Sequence, residues 1–374
     1  MKKRLSLWRT AALLFALSMA TTSIAASRAK YVDYVADATT FYITRINDPL
    51  LRSGIVADRS AGVAYTGRYS TWTLKKGYWA FCLRGGRGVR YNATRTPYNG
   101  AGGNSGTADG IVYISADNTP VYAIAASGGD LNAYTATTNT GDMLNSALYG
   151  GGQGKGRTGT GSTGGGRGGG CSILYMGNVN PAAATLIAVA GGGGGGGAAD
   201  GSDAGFAGGA AGNVGSLGTV KPNGTLAVGN GADGAADGTA QTHGKGGTTA
   251  GGAGGSQDTG HLGTNGGYLI GGHGHGPHTG TNNRGGCGGG GAGYFGGGGG
   301  GCWSNALYRT GGGGGGSSMT GANTYTLPTA TTSAYYYAYN YFNTTVGMYN
   351  ITGSHDGAVA MIYLGMDYTG ADLY

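Results

Sequence analysis

Glutamate is absent from this 374-residue chain: all sixteen acidic residues are aspartate. Charged residues make up 10 % of the sequence, and Lys, Leu and Gln are few. These are the residues helices favour, so no long helix is expected beyond the apolar N-terminus. Without Glu and without a convincing acid–base pair, catalysis has little to stand on. Only seven prolines occur, and glycine follows no strict three-residue period, which excludes collagen. None of the four cysteines forms a Cys-x-x-Cys pair, which argues against zinc. The formal charge of +7 is thinly spread, without the clustered basic face of a nucleic-acid binder.

Glycine is what the chain has in excess. Of 89 glycines, 76 lie in the 221 residues between Ala101 and Gly321, some as solid runs at Gly191–Gly197, Gly296–Gly301 and Gly311–Gly316. Such runs cannot fill a core with side chains, and ordering them costs more backbone entropy than any other sequence. They are either disordered spacers or places where backbone must touch backbone. The flanks favour order: Thr185–Ala190 leads into the first run, and Tyr294-Phe295 into the second. The reading is a set of polyglycine-II helices, which have no internal hydrogen bonds and direct every N–H and C=O to neighbours. A seven-residue run would then span about 20 Å, close to the width of a β-sandwich.

The N-terminus reads as a secretory signal peptide, residues 1–25. Lys2, Lys3, Arg4 and Arg9 precede an apolar stretch from Ala11 to Ala20, and Ser23-Ile24-Ala25 fits a cleavage site. The stretch is too short to span a bilayer, and no later segment is apolar enough. Residues 26–63 form a short polar segment with a few apolar positions such as Phe41 and Ile43. The main domain is set at 64–365, with a tail at 366–374.

Strand signals bracket and interrupt the glycine region. Arg68–Leu74 and Tyr78–Leu83 flank Lys75-Lys76-Gly77, as a hairpin or a corner. Gly110–Ser115 and Val121–Ala126 flank the turn residues Asp117–Pro120. Thr225–Val228 and Ala358–Leu364 follow similar turns. The fold class is all-β, with glycine segments inserted between strands of one domain. An even number of cysteines in an exported chain points to disulfides. Three connectivities are possible; the short segment between Cys287 and Cys302 favours that pair, leaving Cys82 with Cys171.

Several of these segments, taken in order, carry a resemblance. The strand, Lys-Gly turn and strand ending in Arg84-Gly85-Gly86-Arg87-Gly88 resembles the opening of the glycine-rich domain of the anaplastic lymphoma kinase and leukocyte tyrosine kinase receptors, which has bacterial secreted relatives. Thr185–Gly194, Lys221–Gly229, Gly288–Gly297, Gly311–Ser318 and Gly357–Leu364 resemble its later elements. The resemblance covers about Tyr65 to Leu364. It implies a jelly-roll-like sandwich that holds a bundle of polyglycine helices. Kinase and membrane-spanning segments are absent, and no ligand-contact residue can be carried over.

Candidate chemistry is sparse. His273, His275 and His278, alternating with glycine and proline, could bind Zn²⁺ or Cu²⁺, but no carboxylate lies near them in sequence. Gly229–Asp233 echoes a calcium turn only once. Ser354-His355-Asp356 has the letters of a hydrolase triad, but adjacent residues cannot converge as a triad does. Gly151–Gly156 lacks the Ser or Thr of a phosphate loop. The tyrosines carry more weight. Tyr335, Tyr336, Tyr337, Tyr339 and Tyr341 crowd one segment, and Tyr offers amphipathic contact area at low entropic cost. On a strand, half of them would face away from whatever the others pack on.

The sequence thus suggests an exported or cell-surface, non-enzymatic structural and adhesive protein. It would have no cofactor and would present loops and a Tyr-rich edge to a glycan, a cell-surface protein or a copy of itself. The alternative is a soluble module that captures a ligand or metal through the His-rich loop.

Overall fold

The computed structural model describes residues 40–44, 69–89, 100–126, 128, 150–152, 154, 165–178, 180–198, 205–218, 225–235, 244–255, 262–275, 286–301, 310–331, 333, 336–352 and 356–366. Residues 1–25, most of residues 26–63, Cys302, His278 and Tyr335 lie outside them.

Among the described residues eleven strands form two antiparallel sheets: β1 (Thr40–Thr44), β2 (Ser70–Leu74), β3 (Gly77–Arg84), β4 (Thr107–Ile114), β5 (Thr119–Ile124), β6 (Ser172–Met176), β7 (Thr185–Ala190), β8 (Ala227–Gly229), β9 (Ser318–Thr320), β10 (Thr324–Tyr325) and β11 (Ala358–Gly365). One sheet has the order β1-β11-β3-β4-β10, and the other β2-β5-β6-β7-β9-β8. The turns at Lys75–Gly77 and Asp117–Pro120 are therefore corners between sheets, since β2 and β5 belong to one and β3 and β4 to the other. Thr40–Thr44, in the segment the sequence sets apart, pairs in register with β11 as an edge strand.

Three apolar layers explain why the central strands are buried along nearly their whole length. Trp79, Phe81 and Leu83 of β3 meet Leu174 of β6, Ile187 of β7 and Met361 of β11 between the sheets. Residues of opposite parity, Ala80, Cys82, Ala360 and Ile362, line the outer face of the first sheet beneath Ala338, Phe342 and Met348. On the far side, Cys171, Ile173, Tyr175 and Val189 are covered by Leu269 and Ala292 from the glycine region. A strand buried on both faces reads as a continuous apolar run rather than an alternating one.

The strands run directly into the glycine segments at one end of the molecule. Arg84 pairs with Thr107 there, and Ser172 with Ala190; the next residues, Gly85 and Gly106, continue the ladder through Gly85 N–H to Gly106 O at 2.9 Å. Beyond this point the hydrogen bonds change character and repeat every third residue. Gly192, Gly195 and Ala198 donate to the carbonyls of Ala292, Gly289 and Gly286. Gly193 and Gly196 donate to Gly86 and Val89, and Gly194 and Gly197 to Gly209 and Phe206. The carbonyls of the same run accept from Gly100, Gly103 and Gly106, from Gly166 and Gly169, and from Gly313 and Gly316. One run is thus bonded to six neighbouring segments. Gly311–Gly316 is enclosed likewise, by segments around 192–195, 209–212, 232–235, 244–247, 288–294 and 295–301.

That enclosure explains the absence of side chains. A Cβ added to Gly194 would overlap the carbonyl oxygen of Gly313, and one on Gly195 that of Gly166. At the rim, where fewer of the described segments adjoin, side chains return. Asn230, Asp233, Lys245, Thr264 and Asn265 are exposed, while Gly234, Gly244, Gly246 and Gly263 beside them are buried. Some rim side chains serve as acceptors in place of carbonyls: Asp233 Oδ1 accepts from Gly246 N–H (2.8 Å), Asn265 Oδ1 from Gly254 N–H (2.9 Å) and Thr264 Oγ1 from His273 N–H (2.6 Å).

Candidate partner-binding surface and its buried support

The Tyr-rich segment is helical, which corrects the strand reading. Tyr336–Asn340 form a short α-helix, α1, and Tyr341–Thr345 continue it as a wider π-turn. Ala338 and Phe342 are fully buried and Val346 is partly buried against the same core. Positions four apart share one helix face, so these three residues seat the segment on the first sheet. Tyr337, Tyr339 and Tyr341 pack against that core and remain partly exposed, while Asn340, Asn343, Thr344 and Thr345 are exposed. Tyr336 packs against Tyr339 in a tilted pair with ring centroids 5.8 Å apart, and Tyr339 against Tyr349 likewise at 5.3 Å. The Tyr337 hydroxyl donates to Tyr363 O at 3.4 Å. Tyr335 lies outside the described residues.

Two arginines hold the segment that leads back to β11. Arg84 donates from Nη1 to Gly347 O (2.7 Å) and from Nε to Asp356 O (3.3 Å). Arg87 donates to Thr352 O at 2.5 Å, and the Ser105 hydroxyl to Ile351 O at 3.3 Å. Arg84-Gly-Gly-Arg87 thus continues a strand into the glycine region and pins the covering segment by its carbonyls. Asp356, of the triad-like trio, serves the backbone through Oδ1, which accepts from Gly128 N–H at 3.0 Å; Ser354 and His355 lie outside the described residues.

Beneath the tyrosines is a polar cluster that motif reading misses. Cys82 and Asp109 are direct cross-strand partners on β3 and β4. Asp109 is 3 % exposed. Its carboxylate accepts from Ser216 N–H (2.9 Å) and from the Ser216 hydroxyl (2.8 Å). Gly215, at φ +97°, brings the turn so close that a Cβ there would lie 2.5 Å from Asp109 Oδ1. Val214 bonds β4 on either side, donating to Thr107 O (2.9 Å) and accepting from Asp109 N–H (3.3 Å). The Tyr349 hydroxyl sits 3.4 Å from Ser216 Oγ and within hydrogen-bonding reach of Asp109 and Cys82.

Burial dominates the electrostatics of this cluster. It pushes the Asp109 carboxyl up to about 6, against the lowering effect of the Ser216 and Tyr349 hydrogen bonds. Burial, followed by the nearby Asp109, raises the Cys82 thiol well above its usual range. Tyr349 is raised by burial and then by Cys82 and Asp109. A sequence signal for Asp109 exists: it precedes an apolar run and shares the parity of Ile111 and Tyr113, so it must share their face of β4.

The cysteines divide. Cys82 and Cys171 are free and buried, which corrects the expected bridge between them. Cys82 faces the layer under the Tyr segment, and Cys171 the layer under Leu269, on opposite outer faces of the two sheets. Packed sheets stand about 10 Å apart, beyond the reach of a disulfide. Cys287 is disulfide-bonded; Cys302, which the sequence pairs with it, lies outside the described residues.

The His-rich stretch is not a free loop over residues 271–275. Gly272 N–H donates to Gly297 O (2.8 Å) and His275 N–H to Gly300 O (3.0 Å), so this part is bonded into the glycine region. His273 and His275 are partly exposed and His278 is not described. Among the described residues no group of three or more His, Cys, Asp or Glu could hold a metal ion. Asp233, of the calcium-like turn, pairs with Lys245 at 3.0 Å. Among the described residues no helix is long and apolar enough to cross a membrane. No protein-family model matches this chain, and no characterised protein matches it in sequence.

Proposed function

We propose that this chain is an exported or cell-surface structural and adhesive protein without enzymatic activity, and that residues 336–349 are its contact surface. The observation that carries the reading is the way this segment is mounted. Phe342, Ala338 and Met348 are sunk against the sheet, while Tyr336, Tyr337, Tyr339 and Tyr341 are partly exposed beside exposed Asn340, Asn343 and Thr344. Aromatic faces next to amide and hydroxyl groups suit a glycan or a polar protein surface.

We further infer that the glycine segments are polyglycine-II helices in a bundle, and that the two sheets form a jelly-roll-like sandwich. The three-residue hydrogen-bond period and six-neighbour enclosure of Gly191–Gly197 support the first, since that helix has three residues per turn and no internal bonds. The resemblance to the receptors' glycine-rich domain supports both. Such a bundle would act as a stiff mount, keeping the Tyr surface preorganised and lowering the entropy lost on binding.

The test is a glycan and cell-binding screen of the mature protein, repeated with Tyr336→Ala/Tyr341→Ala and with a chelator. The expected result is attachment lost in the double variant and unchanged on chelation. Attachment unaffected by the substitutions would remove the reading.

A further inference from the structure

At Asp109 three parts of the molecule meet through a single side chain. It stands on β4 of the first sheet; its carboxylate takes both hydrogen bonds of Ser216 on the turn that leaves the glycine bundle; and Tyr349, at the foot of the Tyr-rich segment, closes over it. Gly215 makes the approach possible through a backbone that L side chains rarely adopt. Ser216 supplies two donors to this buried carboxyl, the Tyr349 hydroxyl lies against Ser216 Oγ beside them, and both residues come from outside the sheet that carries the carboxyl. We propose that Asp109 is the pin of a proton-sensitive latch, holding the 213–216 turn and the segment 336–352 against the sheet tightly when protonated and less tightly when ionised.

The direction follows from burial. An ionised carboxylate enclosed at this depth loses its hydration, and the hydrogen bonds it receives recover only part of that loss, so its folded-state value lies near 6. Once the segment lifts and water enters, the carboxyl returns toward its ordinary value near 4. The closed form therefore binds the proton more tightly than the open form, and raising the pH through that interval favours opening. The other groups facing Asp109 hold their charge state there. Burial raises Cys82 and Tyr349, which stay neutral, and the Arg84 guanidinium on β3, bonded to Gly347 O and Asp356 O, stays charged. The latch stands independently of adhesion; only its consequence, a Tyr surface firmest in acid, rests on the proposed function.

Hydrogen exchange of the intact mature protein, corrected for the chemical exchange rate, reads the latch directly. Between about pH 5 and about pH 7.5, opening of peptides covering 336–352 and 213–216 should rise about tenfold, while β6 and β7 stay unchanged. Asp109→Asn should abolish the rise. Ser216→Ala, which removes one donor without removing the carboxyl, should shift its midpoint to higher pH and serves if the first variant does not fold. Protection of 336–352 that is independent of pH, a rise that persists in Asp109→Asn, or an unmoved midpoint in Ser216→Ala overturns the latch. A protein that adheres to nothing yet shows this exchange removes the adhesive reading and leaves the latch standing.

Discussion

Asp109 and Gly215 each carry a local cost, one through a buried carboxyl and the other through a positive φ. Because the Asp109 carboxyl is raised to about 6, its ionisation opposes folding. Stability is highest below the unfolded value near 4, falls as pH rises toward 6, and levels off above it, by about 3 kcal/mol at most. Asp109→Asn should flatten this dependence and raise Tm at neutral pH, as thermal melts across pH 4–8 would reveal. Gly215→Ala should cost about 2–3 kcal/mol in denaturant unfolding, because it combines an unfavourable φ with a clash against the carboxylate. The cysteines give a chemical count at the same scale. Denatured without reductant, the protein should expose two reactive thiols, Cys82 and Cys171, and almost none when native. No free thiol after denaturation would mean that the two are joined after all.

At the scale of elements, α1 and its π-turn separate anchoring from exposure. Phe342→Ala should cost about 3–5 kcal/mol by leaving a cavity over β3, β4 and β11. Tyr336→Ala, outside that core, should change stability by less than about 1 kcal/mol while weakening attachment. The comparison of melting with binding for the two variants checks whether the segment has two sides. Its helical character was legible in part: Ala338, Phe342 and Val346 recur every four residues. The crowded tyrosines conceal this, because aromatic residues favour strands as readily as they tolerate helices. Likewise, β7 and β11 stand out as apolar runs, whereas the short strands β9 and β10 owe their place to the partners they meet.

The whole molecule depends on backbone meeting backbone. Gly194→Ala should lower stability by more than about 4 kcal/mol, since its Cβ overlaps Gly313 O and neighbours on the remaining sides prevent a shift. Gly267→Ala, where an added Cβ meets nothing within 4 Å, should be nearly neutral. Equal melting temperatures for the two would show that the runs are not enclosed. The pattern extends to composition: uninterrupted runs such as Gly191–Gly197 and Gly311–Gly316 have neighbours on all sides, while runs punctuated by Asn230, Asp233, Lys245 or Thr264 lie at the rim. In these segments a purely glycine stretch is a record of full enclosure, and one punctuated by exposed polar residues a record of partial enclosure.

The all-β class, the interleaving of strands with glycine and the need for close backbone approach follow from the sequence alone. Absent Glu, scarce helix formers and apolar runs at turn boundaries are local properties, and local properties act without knowledge of the fold. Which strands share a sheet, which faces Cys82 and Cys171 take, and how Asp109 comes to hold Ser216 and Tyr349 were decided by tertiary structure. Those facts depend on pairings across more than a hundred residues, such as Asp109 with Ser216 and Tyr349, or Arg84 with Gly347. No short-range pattern encodes which distant segment will supply the donor for a buried carboxyl, because only the packed layers bring the two together.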